Sequence, residues 1–262
     1  MKKFILCFLL LLSIKNFSEA KDIEDLFEAA EKGSKVAMYD LGVRYGSGND
    51  IKQDKELANQ YYAKSAALGY APAQNNLGWS YRQGIAVPKS SSKALYWFRL
   101  AAIQGNALAL QNLAEMFQQG EGVSRDIEIA RSFFVLCATE TMGDVPGREA
   151  GFNNAIHECR RELGKIDANA AGDDQQGLKK AAMWLTLALS KDKDAFKDSE
   201  IGLRARRSRK ETVELLDRVN ETLNDESKKW VKRIVEDWNA LRVMIKDHTP
   251  FPLVHEHCFN SD

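Results

Sequence analysis

Leu41-Gly42-Val43-Arg44-Tyr45, Leu77-Gly78-Trp79-Ser80-Tyr81 and Leu113-Ala114-Glu115-Met116-Phe117 are one motif written three times at a step of 36 residues. The same step joins Gly48, Gly84 and Gly120, and Ile51, Val87 and Val123. It also joins Ala58, Ala94 and Ala130; Tyr61, Trp97 and Phe133; Tyr62, Phe98 and Phe134; and Ala66, Ala102 and Ala138. No insertion interrupts the pattern from Ala37 to Ala138. A fixed period in this range marks stacked supersecondary units, each of which buries its apolar face on the next.

One unit reads as two helices. In the first, Ala73, Leu77, Gly78 and Tyr81 recur at helical spacing and define a buried stripe. Glycine in mid-helix costs about 1 kcal/mol against alanine, so its return at Gly42 and Gly78 predicts a close helix approach. Ala114 holds that place in the third unit. Gly48, Gly84 and Gly120 then stop the helix with positive φ. The second helix is predicted to open at Asp54, Ser90 and Asp126, side chains that accept from orphan backbone amides. It closes at Gly69 and Gly105, with Gly33 one period upstream, and Pro72 suits the first turn of the helix that follows.

These residues resemble the Sel1-like repeat, a relative of the tetratricopeptide repeat. Its pattern is an Ala-x3-Leu-Gly-x2-Tyr helix, a Gly-x-Gly-Val turn and an Ala-x2-Trp-aromatic-x2-Ala-Ala-x2-Gly helix. The second unit matches as Ala73, Leu77-Gly78, Tyr81, Gly84, Val87, Ala94, Trp97-Phe98, Ala101-Ala102 and Gly105. The third keeps Gly120-Glu121-Gly122-Val123 but has Thr141 where the closing glycine belongs, and the first carries Asn49-Asp50 inside its turn. The resemblance implies an all-α fold, a right-handed α-solenoid of helix-turn-helix repeats, working mainly as a protein-binding scaffold without catalysis or cofactor.

Upstream, Met1-Lys2-Lys3 precedes an apolar run from Phe4 to Leu12 and then Ser18-Glu19-Ala20. This is the pattern of a secretory signal peptide cut after Ala20, too short to span a bilayer comfortably. The expectation is a bacterial protein exported to the periplasm or secreted, without stable membrane insertion after cleavage. Three cysteines then remain, Cys137, Cys159 and Cys258; one disulfide suits an oxidising compartment, and spacing leaves its connectivity open. The 37 basic and 37 acidic side chains balance, so no bulk field points to nucleic acid or anionic lipid.

The expected organisation is a signal peptide over 1–20, an N-terminal capping helix over 21–36 and three repeats over 37–140. An insertion and a degenerate fourth repeat follow over 141–192, then a C-terminal helical cap over 193–247 and a tail over 248–262. Gly143, Pro146, Gly147 and Gly151 mark Met142 to Gly151 as a loop. Leu163-Gly164 and Ala181-Ala182-Met183-Trp184 restate the repeat with one extra residue between them. Ile201, Ala205, Leu215, Leu216 and Val219 share a helical face, and Thr222-Leu223-Asn224-Asp225 looks like a capping box before a last helix. The apolar side of that helix carries Trp230, Val231, Ile234, Val235, Trp238, Leu241 and Ile245.

Several side chains carry weaker chemical signals. His255-Glu256-His257-Cys258, with His248 nearby, supplies metal-ligand types without the spacing of a structural zinc site, so a metal-dependent tail switch is an alternative only. Ser90-Ser91-Ser92-Lys93 and Ser190-Lys191-Asp192-Lys193 spell Ser-x-x-Lys, but the companion motifs of penicillin-recognising enzymes are absent. An envelope hydrolase or β-lactam-interacting protein is thus the alternative from another class. The basic run Leu203 to Lys210 has no interleaved aromatics and reads as a solvated helix face.

By analogy with the tetratricopeptide arrangement, the first helices of successive units line a concave face. Its positions are Tyr39, Val43 and Gly46; Asn75, Trp79 and Arg82; Gln111, Glu115 and Gln118. Amides and guanidinium can hydrogen-bond an extended backbone, and Tyr39 and Trp79 are flat apolar anchors for a protein or peptide partner. Replacing Trp79 and Arg82 together is expected to weaken that partner without unfolding the array.

Overall fold

Six consecutive helices of 13 residues each are what a 36-residue period of two helices and two turns produces. They are α2 (Lys35–Ser47), α3 (Lys55–Ala67), α4 (Ala71–Gln83), α5 (Ser91–Ile103), α6 (Ala107–Gln119) and α7 (Ile127–Thr139). A helix α1 over 23–31 precedes them, and α8 (Glu149–Ala171), α9 (Gln175–Leu189), α10 (Glu200–Thr222) and α11 (Asp225–Glu236) follow. The computed structural model describes residues 23–48, 50–139, 149–189 and 200–236, and these contain no strand. The fold class is an all-α solenoid of helical hairpins. The expected leader over 1–20, residues 140–148 and 190–199, and residues 237–262, with Trp238, Leu241, Ile245 and the histidine-bearing tail, lie outside the described residues.

The turn inside each hairpin is the same object three times. Gly48, Gly84 and Gly120 have φ of 76°, 73° and 74°. The amides of Asp54, Ser90 and Asp126 donate back to the carbonyls of Tyr45, Tyr81 and Phe117 at 2.9, 2.8 and 2.9 Å. Their side chains accept from the amides of Leu57, Lys93 and Ile129 at 2.8, 3.3 and 2.9 Å. One residue per unit therefore closes the first helix and caps the second, satisfying donors that would otherwise be orphaned. Two residues past each closing glycine the backbone turns left-handed again, at Asp50 (φ 65°), Ala86 (φ 53°) and Gly122 (φ 75°). The first two units hold that conformation without the glycine that favours it.

Contacts divide the chain into two units, one up to Ala109 and one from Leu110. In the first, α1 lays Leu26, Phe27, Ala29 and Ala30 over Ala37, Leu41 and Tyr61, covering the end of the stack as repeat arrays require. Ala66, Ala73 and Leu77 form the next layer with Tyr39, Tyr62, Tyr70, Tyr81 and Trp97 around them. A Cβ on Gly42 would stand 2.6 Å from the Tyr62 ring, and one on Gly78 2.8 Å from Phe98. Glycine there is a packing requirement, not a flexible joint. Polar side chains add to the packing: within the first hairpin Ser65 Oγ donates to the Lys35 carbonyl at 2.7 Å, and between hairpins Asn59 Nδ2 donates to that of Ile85 at 2.5 Å.

In the second unit Phe117 stacks on Phe133 with centroids 5.7 Å apart, the separation Tyr45 and Tyr61 show two periods earlier. Cys137 on α7 and Cys159 on α8 are fully buried and disulfide-bonded, with Cα atoms 6.1 Å apart. Arg131 reaches the Asp167 carboxylate with two bonds, at 2.8 and 3.2 Å, which holds its guanidinium above its ordinary range. Gly164 repeats the close approach: a Cβ there would be 2.5 Å from Leu185. Leu178, Ala181, Ala182 and Leu185 of α9 then pack on Val219 of α10, Leu223 in the turn after it and Val231 of α11.

Two expectations are corrected. Helix α8 already begins at Glu149, so the loop expected through Gly151 ends earlier, the glycine being tolerated inside a 23-residue helix. Asn224, not Thr222, caps α11: its Oδ1 accepts from the Ser227 amide at 2.8 Å, while Thr222 is still in α10 and bonds back to Arg218. Thr222 lies two residues too early in the chain because α10 continues through it.

Candidate functional site

The face presented by the first helices of the hairpins is built from the side of each helix opposite its core leucine. In the first unit Val43 on α2 and Trp79 on α4, one period apart, are 38% and 43% exposed. Val36, two turns before Val43 on the same face, is 44% exposed and was missed by the motif count. Large apolar side chains left open at equivalent places of neighbouring repeats are the pattern of a contact surface.

The other positions play supporting parts. Tyr39 is half-buried, its ring centroid 5.9 Å from Tyr62 and 5.4 Å from Tyr70 in an edge-on contact, so it is a wall and not a flat anchor. Tyr62 beside it has its phenol pushed up to about 12 by burial, against a hydrogen bond from Asn76 and with a further push from Tyr39. Asn75 and Arg82 are each only 6% exposed. Asn75 donates to Asn76 Oδ1 at 3.4 Å. The Arg82 guanidinium carbon lies 5.9 Å from the Trp79 ring centroid, so the arginine backs the indole instead of reaching outward. Removing both residues would strip a buried cation from the helix, and Trp79 alone is the cleaner change. Gly46 is half-buried against the Tyr62 hydroxyl.

Beside Val43 a cleft of about 450 Å³ opens, lined by Asp25 and Leu26 from α1 and by Asp40, Val43 and Arg44 from α2. Arg44 Nη1 is engaged with Asp50 Oδ2 at 3.1 Å. No motif marks this cleft, since it depends on how α1 leans on α2.

In the second unit Gln111, Glu115 and Gln118 are half-buried on α6. Gln111 Nε2 donates to Glu115 Oε1 at 3.0 Å, and the Gln118 carbonyl accepts from Arg125 Nε at 3.1 Å.

The side chains with weaker signals have structural partners where they are described. Ser90 Oγ caps α5, and Lys93 Nζ lies 5.1 Å from the Tyr81 ring centroid. His157 Nδ1 is 3.0 Å from the Ala188 carbonyl. Arg209 and Lys210 are exposed on α10, with Lys210 3.8 Å from Glu214. Among the described residues no group of three His, Cys, Asp or Glu is arranged to hold a metal, and no helix is long and apolar enough to cross a membrane.

The Sel1 repeat family model matches residues 35–70, 71–106 and 107–136. A Sel1 repeat protein from Oxalobacter formigenes is 26% identical over 55% of this chain and 98% of its own, with a TM-score of 0.45. A protective antigen of uropathogenic Escherichia coli strains with an SLR fold is 24% identical over 82% of this chain and 44% of its own, with a TM-score of 0.44. No curated protein matches.

Proposed function

From a chain that carries three Sel1 repeats over residues 35–136, we propose an exported scaffold that binds a protein or peptide segment on its first-helix face and performs no catalysis. Sel1 repeats are in general protein-interaction scaffolds. The observation that carries the reading is the pair Val43 and Trp79, open at the same place of consecutive repeats while the leucines two residues before them are buried. Val36 extends the apolar track along α2, and the backing of Trp79 by Arg82 fixes the indole before a partner arrives, which lowers the ordering cost of binding. Gln111, Glu115 and Gln118 offer amide and carboxylate groups on the second unit.

Export is supported by the leader pattern over 1–20 and by the buried Cys137–Cys159 disulfide, a bond that persists in oxidising compartments. Fractionation followed by N-terminal sequencing tests it: mature protein in the periplasm or medium should begin at Lys21. The hydrolase alternative is disfavoured by Ser90, whose hydroxyl is occupied as a helix cap. Acylation by a fluorescent penicillin would reinstate it.

The binding test is capture of a partner from envelope extract, followed by titration of that partner against Trp79→Ala and Val43→Ser. Truncating a central aromatic anchor removes about 2 kcal/mol or more of binding, roughly thirtyfold. Both variants should keep the parent helical signal and melting temperature. Unchanged affinity in both would refute the face.

A further inference from the structure

The second hairpin and its flanks carry a charge asymmetry that the balanced whole conceals. Residues 57–114 hold five basic side chains, Lys64, Arg82, Lys89, Lys93 and Arg99, and no acidic one. The chain has 37 side chains of each sign, so the balance is reached by segregation. Arg82 is buried, but Lys64, Lys89 and Lys93 are exposed, and the stretch itself offers them no carboxylate. On α5 the same stretch leaves apolar side chains open. Tyr96 and Ile103 are 57% and 64% exposed, more than Val43 or Trp79 on the first helices. They lie two helical turns apart, with Lys93 one turn before Tyr96, so the three share one ridge. Tyr96 is held there by Trp97, edge-on with ring centroids 5.1 Å apart. Leu68, exposed at the end of α3 one turn after Lys64, repeats the pairing of cation and apolar side chain one hairpin earlier.

We infer that this second-helix face docks on an anionic phospholipid surface, a role beyond the scaffold reading and independent of the first-helix face. Lipid phosphates meet the lysines, and Ile103 and Leu68 sink to the boundary between headgroups and acyl chains. Tyr96 suits that boundary, since its ring is apolar and its hydroxyl stays wet. An acidic protein segment would answer the lysines but has no reason to cover an aliphatic ridge. A lipid surface answers both. The contact is peripheral: among the described residues no helix is long and apolar enough to cross a membrane.

The test sediments the purified protein with sucrose-loaded vesicles of phosphatidylcholine, alone or with about a third phosphatidylglycerol, at low salt. A labelled oligoglutamate peptide is titrated in parallel. Binding to the anionic vesicles should be at least about tenfold tighter than to the neutral ones, and the gap should narrow as salt rises. Lys89→Gln with Lys93→Gln should weaken it about thirtyfold, as the loss of two cations at such a surface requires. Ile103→Ser should weaken it about tenfold. Lys228→Gln with Lys229→Gln, the same charge change at exposed positions of α11, should leave it intact. All variants should keep the parent helical signal. Equal weakening by the two lysine pairs means diffuse attraction, and an Ile103→Ser variant that binds like the parent means no apolar contact; either overturns the face. Equal binding to both vesicle types, or none, overturns it too. Tight binding of oligoglutamate without vesicle binding assigns the lysines to an acidic protein and overturns the lipid surface. None of these variants touches Val43 or Trp79, so the capture experiment judges the scaffold reading separately.

Discussion

Replacing Gly78 with alanine puts two effects of opposite sign on one atom. Alanine in a helix interior is favoured over glycine by about 1 kcal/mol. At Gly78, however, the new Cβ would meet Phe98 Cδ1 and Cε1 at 2.8 Å and Cγ at 3.2 Å, against a ring that is fully buried. Overpacking of that kind costs about 1–3 kcal/mol, because the ring must leave its rotamer or α4 must lift from α5. The net is a loss of up to about 2 kcal/mol. Gly46 supplies the internal control: a Cβ there has only the Tyr62 hydroxyl at 3.4 Å and the Ala58 Cβ at 3.7 Å, ordinary contact distances. Gly46→Ala should therefore stabilise, by up to about 1 kcal/mol. Urea unfolding followed by circular dichroism, with the denaturant slope unchanged, reads both. Phe98→Leu added to Gly78→Ala should restore part of the loss by making room. If both glycine variants raise the midpoint alike, α4 and α5 do not approach as closely as the repeat packing requires.

Leu77→Ala, at a buried core position, should cost about 2–5 kcal/mol in the same assay. Cys137→Ala with Cys159→Ala releases a cross-link across a sequence separation of 22, which a loop-entropy treatment puts at about 3 kcal/mol. Non-reducing thermal melts should show that loss, and a melting temperature indifferent to the double substitution would deny the bond a structural part. Tyr62 titrates in the fold at about 12, above its ordinary 10, so its contribution is whole below pH 10 and is lost as pH climbs from there toward 12. Melts across that range should fall more steeply for the parent than for Tyr62→Phe; parallel slopes would contradict the burial of the phenol.

The hairpins were legible because their determinants are local. A glycine with positive φ, a capping Asp or Ser six residues on, and an aromatic pair at fixed offsets each act within one unit, and the period repeats them. Gly164 was legible for the same reason, since its neighbour Leu163 carries the motif into α8. Thr222 misled because a capping box and a helix end share the same residues, and only the backbone of α10 decides between them. The disulfide partner of Cys137 needed the packing of α8 on α7, which no spacing encodes. On the first helices, the exposure of Val43 and Trp79 followed from their place in the repeat alone. The burial of Arg82 against the indole was not, since a long polar side chain can turn either way from the same Cα. The cleft beside Val43 depends on two helices from different sequence contexts, α1 and α2, and had no motif to announce it.

Site-specific photocrosslinking separates the first-helix face from the rest of the molecule most directly. A photoreactive residue is placed in turn at Val43, Trp79, Tyr96 and Ile103, the last two being exposed apolar positions on α5. Partner adducts should form from positions 43 and 79 and be absent from 96 and 103. Adducts from α5 alone, with none from α2 or α4, would contradict the account.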